Sequence, residues 1–265
     1  MKTLRKAIRT VRRVRRLRRK LAALAAAVAT LTALTNYAND LHINPTEWLS
    51  PQAAQGETTE TSNYQINGEE SAAAADELAS LRVAAPSITM GSYDRDLFGP
   101  AWDDTAADPQ QVAFAANGCD TRNDILARDL TGIATDDGCT VTSGTLWDPY
   151  TATTINFTRG ARTSSAVQID PIVALGNVWV SGGSQLDPQT RANIANDPIN
   201  LLAVDGPTNG AKGDSSADAW MPPNEKIHCY YAASQIRVKA KYGLTVTQAE
   251  HDALQSAINS CPTGI

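Results

Sequence analysis

Apolar and polar positions alternate over residues 139–146, Cys-Thr-Val-Thr-Ser-Gly-Thr-Leu, with one glycine interrupting the run. That period of two, bounded by turn residues, predicts a short hairpin strand. Residues 154–157, Thr-Ile-Asn-Phe, read as a second strand, and the apolar stretch 167–175 as a third. Helical spacing governs other segments. Four alanines followed by Asp-Glu-Leu-Ala-Ser-Leu predict a helix with Ser71 as its N-cap and Leu78 and Leu81 on one face. Residues 229–242 read as a helix carrying Tyr231, Ile236 and Lys239, and residues 247–261 as another, with Thr247 as N-cap and Glu250 at the capping-box position. No internal repeat is visible.

Two segments at the beginning follow neither period. Residues 1–20 hold 11 of the chain's 23 Lys and Arg and none of its 28 Asp and Glu, and residues 21–34 are an uncharged run of Leu, Ala, Val and Thr. A basic block followed by an apolar one is the layout of an export signal. Fourteen residues extend only about 21 Å as a helix, short of the ~30 Å hydrocarbon layer, which favours a cleavable signal over a spanning anchor. Asn36-Tyr37-Ala38 offers a loose cleavage site, and an uncleaved signal anchor is the alternative. A polar run from residue 39, including Pro45 and Glu57-Thr58-Thr59-Glu60-Thr61-Ser62-Asn63, has too few apolar residues to bury anything and reads as a tether. The expected organisation is a signal over 1–38, a linker over 39–70 and one folded domain over 71–265.

The chain has 265 residues, 42% of them hydrophobic, enough for one core of ordinary size. Beyond residue 20, 12 basic residues face 28 acidic ones, a net charge of −16. Such a surface repels nucleic acid at long range but suits divalent cations, so charge alone favours neither. Cys119, Cys139, Cys229 and Cys261 are an even set on a chain that carries an export signal, and so predict two disulfides. Three pairings are possible. Local closure favours Cys119 with Cys139 and Cys229 with Cys261, each worth about 3 kcal/mol by loop entropy. No CxxC pair exists and the three histidines are scattered, which argues against zinc.

Chemistry concentrates between Gln168 and Pro223. The segment runs Gln168-Ile169-Asp170-Pro171-Ile172-Val173-Ala174-Leu175, then Ala195-Asn196-Asp197-Pro198-Ile199-Asn200-Leu201, then Asn209-Gly210-Ala211-Lys212-Gly213-Asp214, and closes on Trp220-Met221-Pro222-Pro223. Singly these residues are ordinary turn formers. Together they resemble the His-Asn-His nuclease family, in its secreted bacterial branch related to the C-terminal nuclease domain of GmrSD-type restriction enzymes. Tyr93-Asp94-Arg95-Asp96-Leu97-Phe98-Gly99, Trp102 and the stretch 119–130 are similar to that branch too, so the resemblance covers roughly residues 77–261.

The resemblance implies an α+β fold, a ββα-metal core with an added N-terminal helix, disulfide-held loops and C-terminal helices. It implies hydrolysis of phosphodiesters with one divalent ion, Mg²⁺ above others, and nucleic acid as partner, DNA before RNA. Asp170 and Asn209 would be metal ligands, the latter in a glycine-containing loop, Asn200 would brace the loop facing the general base, and Lys212 would lie near the substrate phosphate. Arg162, with Arg122 and Arg128, supplies further cations for phosphate; the plainer reading is that each pairs with a nearby Asp.

One position departs from the pattern. Where the family has an Asp-His pair this chain has Asp170-Pro171, and proline has neither an ionisable group nor an N–H. Proline does keep the preceding Asp170 extended. Losing a general base typically costs about 10²- to 10⁴-fold in rate. His228 precedes Cys229 and reads as a surface histidine, while His42 lies in the tether and His251 on the last helix. Asp197, Asp205 and Asp214 are acidic residues near the site, Asp197 being a natural turn former. Three readings follow: an exported nuclease weakened or silenced by Pro171, a non-catalytic extracellular binding module on the same scaffold, and a structural extracellular domain.

Overall fold

The computed structural model describes residues 64–86 and 90–261, all within one compact unit of residues 58–265. The export segment and most of the linker expected from the sequence lie outside the described residues. The fold is α+β. Helix α1 (Gly68–Ser80) is followed by irregular chain with short 3₁₀ turns, then α2 (Thr121–Asp129) and three strands, β1 (Thr131–Thr135), β2 (Val141–Asp148) and β3 (Thr153–Thr158). Next come β4 (Val167–Pro171), α3 (Leu175–Val180), α4 (Pro188–Asn196), β5 (Leu201–Asp205) and α5 (Gly206–Lys212). Two longer helices, α6 (His228–Lys241) and α7 (Gln248–Asn259), complete the fold. Strands β1, β2 and β3 form an antiparallel meander, and β4 pairs antiparallel with β5 alone.

The antiparallel β4–β5 pair is the centre of the architecture because both of its faces are covered. Alternation along β4 sends Val167 and Ile169 to one side, where with Leu201 and Ala203 of β5 they meet Ile125 and Leu126 of α2, Leu146 and Phe157. On the opposite side Leu202 and Val204 join Tyr150, Ile172, Ile227 and Tyr231. Gln168 and Asp170 share that second side by parity, so the one carboxylate of β4 enters an aromatic cluster rather than solvent. A separate core joins α1, α6 and α7 through Leu78, Ala232, Ile236, Leu254 and Ile258.

Disulfides join Cys119 to Cys139 and Cys229 to Cys261, the pairing that local closure favours. The first ties the start of α2 to the β1–β2 connection; the second staples α6 to the end of α7. Around the first, aspartates organise the loops: Asp104 accepts the backbone N–H groups of Asn117 and Gly118, and Asp137 those of Cys139 and Thr140. Asp124 behaves differently. Burial, with Asp104 and Asp120 nearby and a hydrogen bond from Asn117 opposing, pushes its carboxyl up to about 6. Its folded value lies above the ordinary ~3.9, so the native state holds the extra proton between those two values. The stability it contributes is full below ~4 and is lost as pH rises through about 6. A carboxyl-detected NMR titration is expected to place this midpoint near 6; a midpoint below ~4.5 contradicts it.

Three sequence expectations need correction. The first helix is capped by Asn67, not Ser71: Asn67 accepts from Glu70 N and Glu70 returns a bond to Asn67 N, and Tyr64 already packs against Trp147 and Tyr230. Ordered contacts therefore begin inside the segment expected to be linker. In α7, Thr247 does cap Glu250 N, but the Glu250 side chain turns to Lys239, with which it forms a buried ion pair at 2.9 Å. The third strand stops at Pro171 instead of running to residue 175, because Leu175 opens α3.

Candidate functional site

The residues singled out by the motif meet where α5 lies against β4. Asp205 ends β5 and caps α5, accepting from Thr208 N and Oγ1. Gly206, the first residue of the helix, passes so near the turn before β4 that a Cβ there would lie 2.1 Å from the Ser165 carbonyl oxygen. Close approach of the helix start to β4 thus requires glycine. The third-residue spacing of the helix then meets the second-residue spacing of the strand. Asn209 donates to Gln168 Oε1 at 2.9 Å, and Lys212 Nζ reaches Asp170 Oδ2 at 2.6 Å.

Lys212 and Asp170 are both sealed, with side chains 0% and 3% exposed. The ammonium also donates to the Pro171 carbonyl at 2.6 Å, and the Tyr150 hydroxyl donates to the same Asp170 Oδ2. Tyr150, Trp220 and Tyr231 surround the pair edge to face, with centroids 5.2 to 5.9 Å apart, and the Lys212 ammonium stands 5.9 Å from the Tyr231 ring centre. Burial pushes the Asp170 carboxyl up, against the pull of Lys212 and Tyr150, and pushes the Lys212 ammonium down, against the pull of Asp170. Both shifts come chiefly from lost hydration.

Pro171 closes β4 opposite Leu201. It has no N–H to give, and the pairing is continued by the next residue, since Ile172 N donates to the Asn200 carbonyl at 2.7 Å. Asn200 is fully buried and holds the segment after the proline. Its Oδ1 accepts from Val173 N at 2.8 Å, and its Nδ2 donates to the carbonyls of Val173 and Ile194.

Several expected site residues have other work. Asn209 stands within α5, not in a loop. Lys212, expected at the substrate phosphate, is inside the protein. Arg162 is exposed on the turn before β4 and makes no hydrogen bond or ion pair among the described residues. Arg122 donates to the carbonyls of Ser164 and Val167, and Arg128 pairs with Asp129 at 2.6 Å while donating to Pro198 and Leu201. Asp197 binds Lys241 at 2.5 Å and the Tyr242 hydroxyl at 2.6 Å. Asp205 is the α5 cap, and Asp214 accepts from Gly176 N at the start of α3. His228 Nε2 lies 2.8 Å from the Pro222 carbonyl oxygen. The sequence reading missed Tyr150 and Tyr231 as walls of the site; Trp220 stood in the motif, but nothing in its spacing assigned it this place.

Strand β4, strand β5 and helix α5 thus pack as one strand, strand, helix unit, with α3 and α4 inserted between the two strands, and carry Asp170, Asn200 at the entry to β5, and Asn209 with Lys212. Residues 120–257 match the family of GmrSD restriction endonucleases, C-terminal domain. The chain belongs to this family. A protein described as an uncharacterized secreted protein of Arthroderma benhamiae (strain ATCC MYA-4681 / CBS 112371) is 36% identical over 193 residues, 72% of this chain and 86% of that relative. No solved structure gives a significant match. The GmrSD C-terminal domain family is of nuclease type, and the matched region contains the whole strand, strand, helix unit and both helices of the C-terminal pair up to Ala257.

For this member of the GmrSD family the donor set does not suit a divalent cation. Asp170, the one carboxylate at the centre, is already compensated by a 2.6 Å ammonium and a phenol on the same oxygen. Asn209 faces Gln168, to which its amide nitrogen donates, and is not bonded to Asp170. A second, doubly charged ion beside Lys212 would meet strong repulsion at a pair buried from solvent. Among the described residues no group of three or more His, Cys, Asp or Glu converges.

Proposed function

We propose that this protein is an exported member of the nuclease family that keeps the scaffold and has lost metal-dependent phosphodiester hydrolysis, acting instead as a non-catalytic extracellular module. The observation that carries this reading is the Lys212 ammonium, held 2.6 Å from both Asp170 and the Pro171 carbonyl. It stands where a catalytic cation would be needed, beside a proline where the family has its base. Attack by water then has neither a proton acceptor nor a centre to stabilise the charge that builds on phosphate. Export is supported by the basic and apolar order of residues 1–34, by two disulfides and by the secreted relative. Among the described residues no helix is long and apolar enough to cross a membrane.

Supercoiled plasmid DNA incubated with the purified protein and Mg²⁺ or Mn²⁺ tests the reading. Neither the natural chain nor Pro171→His is expected to nick it above the buffer blank, because restoring an imidazole leaves Asp170 occupied. Nicking by the natural chain would overturn the proposal. Nicking by the variant alone would assign the whole loss to the missing imidazole and overturn the part given to Lys212.

The remaining surface offers little to a polyanion. Of the 12 basic residues beyond residue 20, seven are committed internally: Arg122, Arg159 and Arg191 donate to backbone carbonyls, and Arg128, Lys212, Lys239 and Lys241 form ion pairs. Affinity for nucleic acid rises with the number of phosphates neutralised. The expected dissociation constant for duplex DNA at physiological salt is weaker than about 10⁻⁴ M, the weak end of ordinary non-specific binding. Fluorescence anisotropy reporting a micromolar constant with a steep salt dependence would count against a non-nucleic-acid role.

A further inference from the structure

The contact between Lys212 and Asp170 holds an amine nitrogen against a carboxyl group as well as pairing two charges. We propose that it matures into a covalent cross-link, an amide between Lys212 Nζ and Asp170 Cγ that joins α5 to β4. This rests on the contacts of the pair and stands whether or not the protein cuts nucleic acid, since a neutral amide leaves Asp170 no more able to hold a metal ion than the ion pair does.

Three features of the site favour condensation. Nζ is held by two acceptors, Asp170 Oδ2 and the Pro171 carbonyl oxygen, both at 2.6 Å, which fixes the nitrogen against the carboxyl group. An amine and a carboxyl kept together in this way need little further ordering, and well-oriented intramolecular reactions reach effective molarities of about 10⁵–10⁸ M. Enclosure is the second feature: the side chains are 0% and 3% exposed, and Tyr150, Trp220 and Tyr231 form the walls. Where hydration is absent, the charged pair loses most of its advantage over neutral amine and neutral acid. The Tyr150 hydroxyl is the third, donating to the same Oδ2 that must depart.

The step balances within the site. One proton passes from the ammonium to the carboxylate, leaving a free amine and a carboxylic acid. The nitrogen lone pair attacks Cγ, and a C–N bond forms. Tyr150 gives its proton to Oδ2 as the Cγ–Oδ2 bond breaks, and recovers one from the nitrogen. A carboxylate and an ammonium become an amide and one water, with no oxidant, reductant or activating nucleotide. The product loses one positive and one negative charge, so net charge is unchanged and two buried charges disappear. A bond between residues 170 and 212 would lock the strand to the helix across the β4–β5 unit, a gain suited to an exported chain.

Intact mass spectrometry of the purified natural protein, denatured and with its disulfides reduced, decides the matter. The expected mass is about 18 Da below that calculated for the polypeptide from its measured N-terminal residue onward, the loss of one water. A proteolytic map is expected to contain a branched peptide joining the segment around Asp170 to the segment around Lys212, with no cleavage after Lys212. Lys212→Arg and Asp170→Ala should restore the full mass, and Tyr150→Phe should leave a mixture that converts slowly. A natural protein at full mass after prolonged incubation overturns the proposal. So does an 18 Da deficit without the branched peptide, which would be a cyclised aspartate instead.

Discussion

Lys212→Ala is expected to destabilise the protein by about 3–5 kcal/mol, the usual consequence of leaving one member of a buried pair without its partner. For a unit of this size each kcal/mol moves the melting temperature by about 2–4 °C, so calorimetry should show a fall of roughly 6–20 °C. The physical reason is local. Asp170 is 2% exposed and has only the Tyr150 hydroxyl left once the ammonium is gone. Lys212→Met keeps the length and the contact with Tyr231 but not the charge, and should recover only the packing part of the loss. Tyr150→Phe removes a single hydrogen bond from a group that keeps its cation, and about 1–3 kcal/mol is expected. A melting temperature within 2 °C of the natural protein for Lys212→Ala would show that the pair contributes nothing, roughly 1 kcal/mol or less.

Removing the Cys229–Cys261 bridge by paired serine substitution should cost about 3–4 kcal/mol. The two cysteines are 32 residues apart, and the entropy of that closed loop is worth roughly 3.7 kcal/mol in the unfolded chain. Cys119–Cys139, 20 residues apart, closes a loop worth about 3.3 kcal/mol, so loop length barely separates them. Burial does. Cys261 is 6% exposed within the core formed by α1, α6 and α7, whereas Cys139 lies in the looser β1–β2 connection. Denaturant unfolding of the two paired variants should therefore find the larger loss for Cys229–Cys261. The reverse order would mean that the C-terminal helices are held by their apolar faces and need no staple.

Much of the scaffold was legible because local signals agreed with the final packing. Alternation located β2 and β3, Thr247 marked the start of α7, and neighbouring cysteines paired. Strand β5 and helix α5 were not legible for opposite reasons. Leu201 to Val204 are apolar without alternation, since both faces of β5 are covered, and such a run has no period to read. Helix α5, Gly-Pro-Thr-Asn-Gly-Ala-Lys, has two glycines and a proline in seven residues and little intrinsic preference for a helix. It forms because Asp205 caps it and because Asn209 and Lys212 find partners on β4.

The site was half legible. Asp170, Asn209 and Lys212, far apart in the motif, lie along the one contact between β4 and α5. Their partners were not legible, because Tyr150 and Tyr231 reach Asp170 and its surroundings from parts of the chain that no spacing rule connects. A lysine beside an aspartate in a motif reads as two separate functions until the fold shows the two side chains bonded to each other.

The hydrogen bond from Ile172 N to Asn200 O, and the grip of the Asn200 side chain on Val173, leave residue 171 with no backbone duty that requires an N–H. Foldedness and chemistry are consequently inherited through different positions at this corner. A change of side chain at residue 171 would leave no sign in expression or secretion, and selection acting on the shape of the molecule would have no means of reversing it.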